Sequence, residues 1–460
     1  MVIVIITAEG VCISVICKEP SSIPLRRVRQ LCSPYGLVSQ TIPLYPAEGD
    51  PQFSIYTSTL DDPSSVLETQ RNWSHDSSQG NFDGAGGAID PERAQDISIV
   101  ESLERYTSCS WDSDSLVFAR EDELGDAAVS PSRFPQCSAS ELSSSDASLV
   151  AYDPRLPIRW QKAWSLTRQQ EVYVPANTIY LRFPMYSRSE LFTHSISTGS
   201  AAHSSIKDAV LGGLLEVIER DSISLTWLQK MRLPRVTINQ DELQKDVLEY
   251  YKVANSTNLE VQVFDATTDF GVPVLYAVQL SEYDPVLSQI VAATCDIDPQ
   301  HALAKIYREL SSLRIALKAH AQSNSQQEPH KEGVSVIGGA IYQGNIGRRH
   351  VFDFLLEGER PSISLDDVGK RPAEGADPLK WVVNQLESVG AEVIAVDITT
   401  DEARQVGMHV VKVLVPEAMP LSFVHNARYL NTRRLYDVPR IMGRRVHDEA
   451  HLNHELQPFA

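Results

Sequence analysis

The segment His203–Asp221, HSSIKDAVLGGLLEVIERD, decides how the rest of the chain is read. Val210, Leu214 and Val217 recur at helical spacing, and Ser204 or Ser205 can cap the start. Glu216 and Glu219 stand three residues apart, on one face of such a helix, with Arg220 beside them. The same pattern returns in Ile89–Tyr106, IDPERAQDISIVESLERY, and in Ile297–Arg314, IDPQHALAKIYRELSSLR. In each segment an alanine (Ala94, Ala209, Ala302) precedes a glutamate (Glu101, Glu216, Glu309) by seven residues. Asp90-Pro91 and Asp298-Pro299 share an offset and read as helix starts, with Asp as N-cap and Pro at the first helical position. This is an internal repeat of three helices.

The flanking segments read as strands: VIVIITAEG near the N-terminus, TIYLRFPMY from Thr178, LEVQVFDAT, VPVLYAVQL, AEVIAVDIT and HVVKVLVPE. Together they predict an α+β fold, with mixed, largely antiparallel sheets and three related buried helices. Two stretches read as exposed loops. One is Ser/Asp-rich, about 112–153; the other is AHAQSNSQQEPHKEG, Ala319–Gly333. Both read as insertions.

The 460 residues carry 41 basic and 60 acidic side chains, a net charge of −19. That balance argues against nucleic-acid binding and against docking on anionic lipid. The apolar N-terminus lacks the features of a signal peptide and is too short to span a membrane. The six cysteines form no CxxC, as expected of reduced thiols in the cytoplasm.

Two helices carry Glu-x-x-Glu-Arg: Glu101, Glu104 and Arg105, then Glu216, Glu219 and Arg220. Adjacent carboxylates repel unless a cation neutralises them. If the helices face each other, four carboxylates converge on a site suited to Mg²⁺ with phosphate oxygens, and the arginines can hold the phosphates. The competing reading is a pair of solvated helix faces with intrahelical ion pairs. There is no P-loop, no GxSxG and no HExxH. GAGG (84–87), read as a turn, lacks the full dinucleotide fingerprint. His447, His451 and His454 read as a solvated tail rather than a metal face.

The order of these motifs resembles the YcaO family, in particular its azoline-forming peptide cyclodehydratases. The resemblance begins at RRVRQLCSPYGLVSQTI from Arg26. It runs through the three helices and the late strand-loop-strand AEVIAVDITTDEARQVGMHVVKVLVPE, and ends at RRLYDVPRIMG and LNHELQPFA. It implies an ATP- and Mg²⁺-binding domain over residues 25–440 with an insertion at about 112–153. Residues 1–24 are then an N-terminal strand region and 441–460 a C-terminal tail. Carried over, Glu101, Glu104, Glu216 and Glu219 hold magnesium. Arg105 and Arg220 contact phosphates, and Glu309, Ser312 and Arg314 line the nucleotide pocket.

The implied reaction begins when a Cys, Ser or Thr side chain of a precursor peptide attacks the preceding carbonyl. The resulting oxygen is phosphorylated by ATP and leaves as phosphate, giving a thiazoline or oxazoline. The resemblance further implies an E1-like leader-binding partner, a separate flavin dehydrogenase wherever azoles are made, and a homodimer. The chain departs from the family pattern at Ser312, where Gln is usual, at Ile97, and at His203-Ser204 in place of Gly-Asn. Its tail, Gln457-Pro458-Phe459-Ala460, keeps one proline where many members repeat it, and in those members the tail reaches the active site. Pro458 and Ala460 are therefore candidate catalytic positions. Backbone thioamide or amidine formation and a non-catalytic peptide-binding scaffold are the alternatives.

Overall fold

The computed structural model describes residues 25–60, 64, 67–71, 83–323 and 336–459. The strands expected before residue 25, residues 324–333 of the loop expected at Ala319–Gly333, and Ala460 lie outside the described residues; Ala319–Ser323 are not loop but the last turn of the helix Pro299–Ser323.

In chain order the first strands are β1 (Val38–Leu44), β2 (Ser54–Leu60) and β3 (Gly84–Ala88), followed by helix α1 (Pro91–Ser108). Next come β4 (Val117–Ala119), β5 (Ile158–Ser165), β6 (Gln170–Pro175), β7 (Ser200–His203) and α2 (Ile206–Leu228). The middle of the chain forms β8 (Arg235–Thr237), α3 (Lys245–Ala254), β9 (Glu260–Asp265), β10 (Val274–Leu280), β11 (Gln289–Cys295) and α4 (Pro299–Ser323). The last part contains α5 (Val336–Gly344), β12 (Ser362–Ser364), α6 (Pro378–Ser388), β13 (Ile394–Asp397), β14 (His409–Leu414) and α7 (Arg434–Ile441).

The strands form three sheets, with orders β1-β2-β3, β4-β5-β13-β14-β7 with β6 also on β5, and β11-β10-β9-β8-β12. Every described pair of neighbouring strands is antiparallel except β8–β12. The α+β expectation holds.

The repeat is larger than a helix. Each of the three helices follows a strand directly and packs back on it: α1 on β3, α2 on β7, α4 on β11. Asp90 and Ser205 cap as expected, accepting from the N–H groups of Glu92 and Asp208. α2 lies between the second and third sheets, with Leu214, Ile218, Ile223 and Leu225 wholly buried. Burying such a side chain stabilises by roughly 1.5–3 kcal/mol, so this helix is a fixed post. The GAGG segment is strand β3, not a turn. A Cβ at Gly86 would sit 2.0 Å from the Ala94 carbonyl oxygen, so only glycine lets this strand lie backbone-to-backbone on α1.

Three further readings need correction. TIYLRFPMY is no strand: Ile179, Tyr180 and Phe183 are buried, but Pro184 stands inside the segment and Arg182 has a positive φ of 52°. The apolar alternation of Ile179, Leu181, Phe183 and Met185 imitated a strand, but their burial does not alternate. The Ser/Asp-rich stretch is not an exposed loop. It supplies β4, buries Val129, Phe134 and Leu149, and plants the buried Glu141 carboxylate on the N–H groups of Ser138, Arg428 and Leu430. The tail is docked rather than solvated, with Leu452, Asn453, Leu456 and Phe459 buried, although His451 and His454 stay exposed. Among the described residues no helix is long and apolar enough to cross a membrane. The four described cysteines are free thiols.

Candidate nucleotide and metal site

The two Glu-x-x-Glu-Arg motifs meet. Glu104 on α1 has Glu216 of α2 and Glu101 as its like-charged neighbours, and Glu219 has Glu309 of α4 and Glu216. Five carboxylates from three helices thus form one chain of neighbours. Three are held by backbone N–H groups in, or just before, the strands beneath. Ala85 N–H donates to Glu101 Oε2 at 2.9 Å, Gly199 N–H to Glu216 Oε2 at 3.0 Å, and Cys295 N–H to Glu219 Oε2 at 3.1 Å. β3, the turn before β7, and β11 each therefore fix one carboxylate.

Cations are interleaved. Arg105 Nη2 lies 2.6 Å from Glu101 Oε1. Arg220 pairs with Glu216 at 3.4 Å and with Glu219 at 3.7 Å. Arg105 follows Glu101, and Arg220 follows Glu216, by four residues, so these are the intrahelical pairs of the bland reading. That reading fails on electrostatics. Burial pushes the Glu104 carboxyl well above its ordinary value, and Glu216 and Glu101 push it the same way. Burial is also the main cause of the upward shift at Glu219, with Arg220 opposing and Glu309 and Glu216 adding to it. A solvated helix face shifts nothing this way. Burial and the crowding of like charges thus disfavour the charged forms of Glu104 and Glu219.

Among the described residues no set of three or more His, Cys, Asp or Glu side chains is gathered tightly enough to hold a metal ion unaided. Mg²⁺ seldom takes an all-protein cage; it is held through a few carboxylates and the phosphates of its nucleotide. The donor set fits that mode, and the buried Arg105 Nε, which has no hydrogen-bond partner, fits a site missing its anion.

On α4, Glu309 and Ser312 share the side that faces the cluster. A Cβ on Gly87 of β3 would touch Arg308 Cγ at 2.9 Å and Ser312 Oγ at 3.0 Å. Arg314 is not in the site. Five residues beyond Glu309 it points about 140° away around the helix. Its guanidinium, 2% exposed, is taken up by Asp50 at 2.9 Å and Asp284 at 3.0 Å. The expectation that it lines the nucleotide pocket is corrected: it anchors α4.

Three cations were not foreseen. Lys305 and Arg308 both act on Glu309, Arg308 at 3.4 Å. Lys412, on β14, is 1% exposed, and Glu216 and Glu104 are its charged neighbours. Burial pulls its ammonium down to about 8, and the two carboxylates oppose that pull. The signal for Lys412 was available: a single lysine in the otherwise apolar run VVKVLV.

The tail is held by the C-terminal end of α2. Gln229 donates to the carbonyls of Leu435 (3.1 Å) and His447 (3.0 Å), His447 N–H returns a bond to Gln229 Oε1 (2.7 Å), and Asn453 N–H reaches Leu228 O (2.8 Å). Pro458 is buried, and the Phe459 ring meets that of Tyr276 edge-on at 5.3 Å. Beside the tail a small cavity of about 30 Å³ is lined by Trp227, Phe423, Arg428, Leu456 and Gln457. It opens at the end of α2, away from the carboxylates.

The three strand–helix repeats bring acidic and basic side chains of three helices together, and the sequence holds no phosphate-binding loop. A family model described as YcaO cyclodehydratase, ATP- and Mg²⁺-binding, matches residues 85–419, and the chain belongs to that family. Its cofactors are accordingly ATP and Mg²⁺. Similar solved structures include a heterocyclase in complex with substrate and cofactor (22% identity, TM-score 0.75). The match covers 95% of this chain and 57% of that one, so the chain spans little more than half of that heterocyclase. YcaO from Methanopyrus kandleri bound with AMPPCP and Mg²⁺ is 18% identical with a TM-score of 0.59, covering 88% of this chain and 90% of that one. A chain of the Escherichia coli microcin synthetase McbBCD complex with pro-MccB17 bound is 14% identical with a TM-score of 0.57, covering 91% and 96%.

Proposed function

We propose that this protein is a cytoplasmic peptide cyclodehydratase subunit that uses ATP and Mg²⁺ to convert Cys, Ser or Thr residues of a ribosomally made precursor into thiazoline or oxazoline rings. The observation that carries the reading is the convergence of Glu101, Glu104, Glu216 and Glu219 from two facing helices, with raised carboxyl pKa values at Glu104 and Glu219 and an arginine on each helix. In this reading those four glutamates hold Mg²⁺, which supplies charge neutralisation at the phosphates when bound. Arg105 and Arg220 orient the γ-phosphoryl group, and Glu309 and Ser312 border the nucleotide.

The chemistry suits such a site. An amide oxygen is a poor leaving group. Once the substrate side chain has attacked the carbonyl carbon, transfer of the phosphoryl group to that oxygen lets it depart as phosphate. The work of the protein is positioning and stabilising charge. On this reading the docked tail, with Pro458 buried and Phe459 packed on Tyr276 of β10, would border the bound peptide. An E1-like partner would capture the leader, a flavin dehydrogenase would act afterwards where azoles form, and the subunit would pair with a second copy.

The test is a mass spectrum of a candidate precursor after incubation with the protein, its leader-binding partner, ATP and Mg²⁺. One water lost per modified residue, with matching phosphate release, is the expected result. ATP consumption with a different mass change would transfer the assignment to thioamide or amidine formation. ATP binding with no change in the peptide would leave a scaffold.

A further inference from the structure

Lys412 has one carboxylate from each Glu-x-x-Glu-Arg helix, Glu104 and Glu216, as its charged neighbours. It is one of the largest fully buried side chains among the described residues, and its neighbours along the strand, Val410, Val411, Val413 and Leu414, are apolar. Burying a cation is costly unless it is compensated, and a methionine would fill the same space. Its ammonium donates to two main-chain carbonyls, Ile196 O at 2.6 Å and Thr198 O at 2.7 Å. Those carbonyls belong to the turn that ends in Gly199, and Gly199 N–H holds Glu216 Oε2 at 3.0 Å. The next residue of β14 grips the same turn, Val413 N–H reaching Gly199 O at 2.7 Å. Gly199 has φ +88°, and a Cβ there would lie 2.1 Å from Val413 O.

The first repeat explains why a lysine is needed in the second. Glu101 takes its N–H from Ala85, which lies inside β3 and is paired with Thr57 of β2. The sheet itself holds that donor. Gly199 precedes β7, in a turn, where no ladder fixes the direction of its N–H. We propose that Lys412 is a positioning residue of the metal–nucleotide site, pinning the Ile196–Thr198 turn so that Gly199 N–H orients the Glu216 carboxylate. The inference rests on the reading of Glu216 as a magnesium ligand.

Two roles for this lysine predict opposite signs. As a mere counter-charge it competes with Mg²⁺, and its removal tightens metal binding. As a positioning residue its removal weakens metal binding. The experiment is calorimetric titration of the full chain with Mg²⁺ in the presence of AMPPCP, for wild type, Lys412→Met and Lys412→Arg, with thermal melting of each ligand-free protein. Lys412→Met is expected to raise the half-saturating Mg²⁺ concentration about tenfold, the range found when partners behind a metal ligand are removed. Lys412→Arg is expected to restore most of it. A loss of melting temperature alone, with Mg²⁺ affinity unchanged or tighter, would overturn the inference. Should Lys412→Met not fold, Lys412→Gln keeps a neutral donor within reach of one carbonyl, and a smaller change in the same direction is expected. Tighter or unchanged binding in that variant would equally overturn the inference. A wild type that binds no AMPPCP with Mg²⁺ would overturn the functional reading first, and this one with it.

Discussion

Arg434→Met is the most informative single substitution away from the carboxylates. Arg434 opens α7, and its guanidinium joins two acids that no solvent reaches freely. It lies 2.7 Å from Asp221, which is fully buried, and 2.7 Å from Asp269, and it stacks 3.8 Å above the Phe270 ring. Asp221 also accepts Met419 N–H at 2.8 Å and directly follows Arg220. Removing one partner of such a buried pair costs about 3–5 kcal/mol, because the charge left behind has nothing to compensate it. At about 2.1 cal/mol/K per residue, a chain of 460 residues unfolds with an entropy near 1 kcal/mol/K, so the melting temperature should fall by about 3–5 °C.

The pH dependence supplies a second check. Burial already holds the Asp221 carboxyl above its usual value, with Arg434 as the chief opposing influence. Without Arg434 the folded pKa rises further above the unfolded one. A group of that kind is least costly at low pH and becomes more so as pH rises toward the folded value. The deficit of the variant should therefore shrink from pH 8 to pH 5, and Asp221→Asn added to Arg434→Met should recover part of it. Thermal melts of the three proteins at both pH values decide the matter. A deficit below about 1 °C, or one that does not change with pH, would refute the idea that this triad binds the C-terminal helix to α2.

Glu101→Ala and Glu216→Ala are each expected to abolish ATP turnover while the far-ultraviolet spectrum stays unchanged; turnover within twofold of wild type would remove those residues from the site. Glu104, whose folded pKa is raised chiefly by burial, should destabilise the ligand-free protein once pH exceeds the unfolded carboxylate value of about 4.3. Glu104→Gln should accordingly raise the ligand-free melting temperature at pH 7.5 and leave it nearly unchanged at pH 4, and equal effects at both would contradict the assignment. Trimming Gln457–Ala460 removes the Phe459 ring from Tyr276, a loss of about 3–5 kcal/mol of packing, and should lower cyclised product more than AMPPCP affinity. An unaffected yield would make the tail incidental. Deleting Ser140–Ser148 removes the Glu141 carboxylate from three backbone donors and should lower the melting temperature clearly, whereas a loop of the kind the composition suggested would be deleted silently.

The helices and the carboxylate pairs were legible because both are periodic. Seven residues from alanine to glutamate is two turns, and the repeat marks the same face three times. Strands β9, β10, β13 and β14 were legible for the same reason. What stayed hidden depends on pairing across the fold. Composition marked residues 112–153 as loop, yet the buried Glu141 ties that stretch to Arg428 and Leu430 near the end of the chain, and β4 joins it to the edge of a sheet through β5. TIYLRFPMY has the alternation of a strand but finds no partner to pair with. Arg314 shares a helix with Glu309, and family resemblance placed both in the pocket; its pairing with Asp50 and Asp284 across the fold turns it away.

On the proposed assignment, the repeat would provide a phosphate site without a glycine-rich phosphate loop. A loop offers N–H groups to an anion directly. Here the N–H groups of Ala85, Gly199 and Cys295 point at carboxylates instead, each in or beside a strand that leads toward one of the three helices. Those donors fix one oxygen of each acid and leave the other for an arginine or a cation. The three strands thus hold an acidic surface in a set geometry, and on the proposed assignment the charge that completes it arrives with the metal-bound nucleotide. Burial and like-charged neighbours raise the Glu104 and Glu219 carboxyls, and on the proposed assignment a cation bound together with a polyphosphate would relieve that crowding. An enzyme built this way is expected to bind Mg²⁺ weakly without nucleotide and nucleotide weakly without Mg²⁺, each strengthening the other by the same factor.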